Sequence, residues 1–102
     1  MPVTPILVEI PAGLEELVPE YLKGRKEEAA ALVELLSALE MESIRRIAHD
    51  LKGNGASFGF PPLTELGAAM ERAVKCSDVE DLGQQIRTLG EYLDRVQLRR
   101  SA

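Results

Sequence analysis

The chain has 102 residues, 45% of them hydrophobic, which suits one compact domain and is too apolar for a disordered tail. With 17 acidic against 12 basic residues the net charge is -5, which argues against general affinity for nucleic acid or anionic membrane surfaces. The single cysteine, Cys76, excludes an internal disulfide and is expected to be a small residue part-buried on a helix.

Residues 1–13 hold Pro2, Pro5 and Pro11 and end in Gly13, the pattern of an extended arm. Ile6, Val8 and Ile10 alternate as in a strand, but no partner strand is visible, so the arm is expected to lie against the rest of the chain by its apolar side chains. The start of the chain lacks a basic stretch followed by a long apolar run and does not read as a signal peptide. Its apolar run is far shorter than the roughly 20 residues of a transmembrane helix. A soluble, cytoplasmic protein is the expectation.

The first helical pattern runs from about Leu14 to Leu39, with Leu14, Leu17, Val18, Tyr21, Leu22, Ala29, Leu32, Val33 and Leu36 at helical spacing. Pro19 suggests a short turn before a fresh start, and Gly24 weakens the middle by about 1 kcal/mol relative to Ala. A second pattern spans Met41 to Ser57, with Ile44, Ile47, Ala48, Leu51, Gly55 and Phe58 on one face, and it ends in Gly59-Phe60-Pro61-Pro62. The third spans Pro62 to Lys75, with Leu63, Leu66, Gly67, Met70 and Val74 on one face.

Ser77-Asp78-Val79-Glu80 then reads as a capping box, Ser77 capping and Glu80 reaching back. The fourth helix carries Val79, Leu82, Ile86, Leu89, Leu93 and Val96 in alternating steps of three and four, with Arg99 and Arg100 near its end. Four amphipathic helices with short connections predict an all-α fold. It is an antiparallel up-down-up-down four-helix bundle over residues 14–102, preceded by the arm 1–13. With no Trp and few aromatics, the core must be mostly Leu, Val, Ile and Ala.

The second helix has a distinctive outer face. At about 100° per residue, Arg45, His49, Lys52, Gly53 and Ala56 cluster roughly opposite its apolar positions, with Arg46 at the edge. The only histidine of the chain therefore points to solvent. Neutral imidazole is a nucleophile near pH 7 and accepts a phosphoryl group on a ring nitrogen. Lys52, at i+3, is a mobile cation placed to offset phosphoryl charge. Gly53, at i+4, removes a side chain that would block a partner, and an exposed mid-helix Gly costs stability without some such reason.

His49-Asp50-Leu51-Lys52-Gly53, with Gly59 ten residues past the histidine, resembles the signature of histidine-containing phosphotransfer (HPt) domains. The wider stretch Ile47 to Phe60 resembles a bacterial branch of that family. So do the upstream Leu17-Val18-Pro19-Glu20-Tyr21-Leu22 with Arg25 and the downstream Leu66-Gly67 with Glu71. The likeness spans roughly residues 14–98. It implies that His49 is the phospho-acceptor and that Lys52 stabilises the phosphoryl group. By the same likeness Gly53 gives clearance for the partner and Gly59 permits the bend out of the second helix; Arg45 and Ala56, on the same stripe as Gly53, are expected to share the docking face.

Many family members carry Gln on the third helix, hydrogen-bonding near the histidine, and the aligned residue here is Glu71. That carboxylate either orients the imidazole by accepting its N–H or is a solvated, helix-pairing acid. The implied partner is the receiver domain of a response regulator or of a hybrid histidine kinase, which supplies the acidic pocket and the magnesium ion.

Competing motifs fail. The glycines Gly53, Gly55 and Gly59 follow no strand and lack the Gly-Lys-Ser/Thr ending of a phosphate-binding loop. One His and one Cys make no His/Cys metal cluster, and no cofactor is expected. The sequence thus reads as a monomeric phosphotransfer protein rather than an enzyme. The alternative is a non-catalytic helical interaction module, a degenerate relative that docks a partner on the Gly53 and Ala56 surface without using His49 chemically.

Overall fold

In the computed structural model, which describes residues 4–100, the chain is mostly helical. Strand β1 (Ile6–Ile10) is followed by helices α1 (Leu17–Ser37) and α2 (Met41–Asn54) and a 3-10 turn at Ala56–Phe58. Helices α3 (Pro61–Lys75) and α4 (Val79–Arg95) and strand β2 (Val96–Arg100) complete it. No helix among the described residues is long and apolar enough to cross a membrane.

Two expectations about the chain ends are corrected together. The arm does find a strand to pair with, and the fourth helix does not carry Val96, Arg99 and Arg100. The backbone turns extended at Val96, and β1 and β2 pair in parallel from Ile6 opposite Val96 to Ile10 opposite Arg100. The alternation in β1 then has its use, because Val8 and Ile10 are buried while Leu7 and Glu9 face out. Arg95 Nε donates to the Thr4 carbonyl at 2.8 Å, fastening the junction.

Helix ends explain the remaining boundary shifts. Leu14 starts a turn, its carbonyl accepting from the Leu17 and Val18 amides, and α1 begins at Leu17. Pro19 falls in the first turn, where its missing N–H has no intrahelical partner to lose. Leu39, Gly59 and Ser77 all have positive φ, and each is followed by an amide that reaches back five residues, to Leu35, Gly55 and Ala73 respectively. This is the Schellman stop.

The stop at Ser77 overturns the expected capping box. Ser77 (φ 54°) is committed to ending α3, so the cap of α4 moves to Asp78, whose carboxylate accepts from the Asp81 N–H at 3.0 Å. The second helical pattern likewise breaks at Asn54, and Ala56 and Ser57 belong to the 3-10 turn.

The core is aliphatic, with Leu32, Ile44, Leu51, Leu63, Leu82, Leu89 and Leu93 fully buried, joined by Phe60 and Met70. Leu17, Val33 and Val79, read as core positions, are exposed, as is Cys76 at the end of α3. For Val79 the reason is its place at the first residue of α4, beyond the packed part of the seam.

What positions the functional face is the close approach of α2 and α3. A Cβ on Gly67 would sit 2.5 Å from the Lys52 amide nitrogen and 2.6 Å from the Ala48 carbonyl oxygen. One on Gly55 would meet Leu63 Cβ at 2.7 Å and the Thr64 nitrogen at 2.8 Å. Both positions therefore exclude any side chain, and the two backbones touch. Residue 55 lies by 63, 52 by 67 and 49 by 71, so the pairing runs in opposite senses along the two helices.

Candidate functional site

His49 sits on α2 at the edge that faces α3, with its side chain 65% exposed. The helix–helix register brings Glu71 of α3 to it, and His49 Nδ1 lies 3.0 Å from Glu71 Oε2. Lys52, one turn along α2, places its Nζ 3.4 Å from the other oxygen, Glu71 Oε1. One carboxylate thus bridges imidazole and ammonium.

The electrostatics assign the proton. The hydrogen bond from His49 is the main cause holding the Glu71 carboxyl below the ordinary value for a glutamate; the hydrogen bond and charge of Lys52 add to it and outweigh partial desolvation. At neutral pH Glu71 is therefore an anion, which accepts hydrogen bonds and donates none. A neutral imidazole in this contact carries its proton on Nδ1, which leaves the lone pair on Nε2.

The other residues singled out in the sequence fall around this triad unevenly. Gly53 is exposed, and a Cβ there would meet nothing within 4 Å, so no packing contact calls for glycine. Ala56 is also exposed but lies beyond the end of α2, its N–H bound to Thr64 Oγ1 at 2.9 Å. Arg45, one turn before His49, is engaged by Glu42 of its own helix, with Nη2 to Oε1 at 2.6 Å and Nε to Oε2 at 3.0 Å. Arg46 reaches the same Glu42 carboxylate at 3.7 Å.

Gly59 adopts φ 95°, a left-handed conformation natural only to glycine, and turns the chain between the 3-10 segment and α3. A Cβ there would also press on the Pro11 ring at 3.1 Å, so the same residue lets the arm pass close by.

Behind the site, Tyr21 of α1 braces the end of α2. Its hydroxyl donates to Asn54 Oδ1 at 2.6 Å, and its ring stacks on Phe58 with centroids 4.1 Å apart. Arg25 lies 4.6 Å from the centroid of the same ring and pairs with Glu28 at 2.7 Å.

Two basic residues passed over in the sequence, Arg72 and Lys75, also line this face together with Arg45, Lys52 and Glu71. Near the end of a helix such residues read as complements of its dipole, and nothing in their spacing points to α2.

Chemically, the face offers an accessible ring nitrogen with its lone pair free, a carboxylate on the opposite ring nitrogen, a cation one turn away and open space at i+4. A family model described as Hpt domain matches residues 12–99. No curated protein matches the chain, and no solved structure does.

Proposed function

The chain belongs to the Hpt domain family, and we propose that it is a phosphorelay intermediate of two-component signalling, accepting a phosphoryl group on His49 and exchanging it with the aspartate of a receiver domain. The observation that carries the reading is the His49–Glu71 contact of 3.0 Å beneath a ring that remains largely exposed.

In this reading Nε2 attacks the phosphorus of a receiver aspartyl phosphate. The N–P bond forms as the P–O bond to the aspartate breaks, and the aspartate leaves as a carboxylate. The proton stays on Nδ1, so the phosphorylated ring carries positive charge, and the Glu71 carboxylate already in place stabilises it. Because Glu71 holds the ring from the Nδ1 side, its charge stays away from the incoming phosphoryl group. Lys52 is free to swing from its 3.4 Å contact toward the phosphoryl oxygens. Gly53 gives the receiver clearance to reach the ring.

The same steps in reverse return the group to another receiver aspartate, whether in a response regulator or a hybrid kinase. The chain acts here as a phosphotransfer protein rather than an enzyme, monomeric and cytoplasmic, and needs no cofactor of its own. The reading takes the four helices as an up-down-up-down bundle, in keeping with their short connections and the opposed senses of α2 and α3.

The test is transfer from a phosphorylated receiver domain, followed by assay for acid-labile, base-stable phosphate. Wild type should take label and His49→Gln should take none while keeping its helicity and melting behaviour, since a solvent-facing change costs no more than about 0.5 kcal/mol. Label on the Gln variant would refute the assignment.

A further inference from the structure

Beside the imidazole, α2 and α3 enclose a groove of about 570 Å3 lined by Arg45, Lys52, Ala68, Glu71, Arg72 and Lys75. It includes the carboxylate that holds His49, and on α2 it is lined by Arg45 and Lys52, one turn to either side of the imidazole. Four cations face one carboxylate there, in a protein whose net charge is -5. Arg45 and Lys52 are engaged by Glu42 and Glu71. Arg72 and Lys75 have no ion-pair partner among the described residues. Both contribute to the dipole end of α3 whichever way they face, yet both line the groove beside the site. Ala68, one turn before Arg72, adds only a methyl group to its lining.

We propose that this groove docks an acidic segment of the receiver domain, with Arg72 and Lys75 as the residues that bind it. The identity of the occupant rests on the phosphotransfer reading, while its chemistry rests on the charge of the groove. An otherwise acidic surface repels an acidic partner, and a basic groove next to His49 attracts it. The combination orients the encounter so that the phosphoryl donor or acceptor arrives at the imidazole.

A fluorescein-labelled hexaglutamate peptide titrated with the full chain, read by fluorescence anisotropy, measures the groove without any phosphoryl chemistry. The same peptide is then tested as an inhibitor of transfer between His49 and a phosphorylated receiver domain. Arg72→Gln/Lys75→Gln should weaken peptide binding about tenfold and raise the KM for the receiver by a similar factor, with kcat within about twofold of wild type.

Lys23→Gln/Lys26→Gln removes the same charge from α1 and should change either quantity by no more than about twofold. Inhibition by the peptide should compete with the receiver, and peptide binding should fade toward 1 M salt, where the screening length falls to about 3 Å. Equal losses in the two double variants would reduce the effect to net charge and overturn the assignment. So would an unchanged KM in the groove variant, or inhibition that does not compete with the receiver. A chain that takes no label on His49 from any donor defeats the phosphotransfer reading instead, and the anisotropy titration still decides the acidic specificity of the groove.

Discussion

Gly53→Gln separates steric clearance from stability. In the structure a Cβ at this position meets nothing within 4 Å, so the added side chain enters solvent rather than the core. Replacing an exposed mid-helix Gly by a good helix former then stabilises α2 by about 0.7 kcal/mol, which for a domain of this size raises Tm by about 4 °C. The new side chain stands one turn from His49, where the proposed relay requires a receiver to approach. The expected protein is therefore more stable than wild type and yet transfers phosphoryl poorly to its receiver. Thermal unfolding followed by circular dichroism measures the first effect, and transfer kinetics with a phosphorylated receiver measure the second. Phosphoramidate needs no docking surface, so labelling of His49 by that donor should suffer much less than transfer. A fall in Tm would mean that Gly53 is a packing residue and that the clearance reasoning is wrong. Wild-type transfer would place the docking surface elsewhere on the bundle.

Gly67→Ala should behave oppositely to Gly53: a methyl 2.5 Å from the Lys52 nitrogen forces α2 and α3 apart and costs about 2–3 kcal/mol, read as a lower urea midpoint, whereas a stability equal to wild type would show that the helices give way freely. Glu71→Gln tests the carboxylate by pH. Because contact with His49 lowers the Glu71 pKa, its contribution to stability is full above the unfolded value near 4.3 and is lost as pH falls through the lower folded value. The Tm gap between wild type and variant should therefore close in acid, and a gap that persists at low pH would deny the carboxylate that role. Asp78→Ala should cost about 1 kcal/mol and Ser77→Ala less than about 0.5 kcal/mol in chemical denaturation; the reverse ranking would restore Ser77 as the cap of α4.

The helices were legible because each writes its burial in a local period. Ile44, Ala48 and Leu51, or Leu82, Ile86, Leu89 and Leu93, mark a face within a few turns, and those faces are buried as read. The exposed placement of His49, Lys52 and Gly53 follows from the same period and was equally legible. Helix stops were harder. Leu39 and Ser77 end helices in a left-handed conformation that glycine would have announced, and Ser77 carried the opposite signal of an N-cap.

The chain by itself determined where the four helices lie, most of the apolar positions on their faces and that its only histidine is presented to solvent, because those properties depend on neighbours within one or two turns. Tertiary structure decided the rest. β2 pairs with β1 from the other end of the chain, and its short alternation Val96-Gln97-Leu98-Arg99 is masked because Val96 also continues the three-four spacing of α4, so only the partner strand decides that it is extended. Glu71 reaches His49 across 22 positions of sequence only because Gly55 and Gly67 let two backbones touch in one register. Arg72 and Lys75 become part of a basic groove for the same reason. A shift of one residue in that register would turn Glu71 about 100° away from the imidazole, and no local pattern in either helix encodes the pairing.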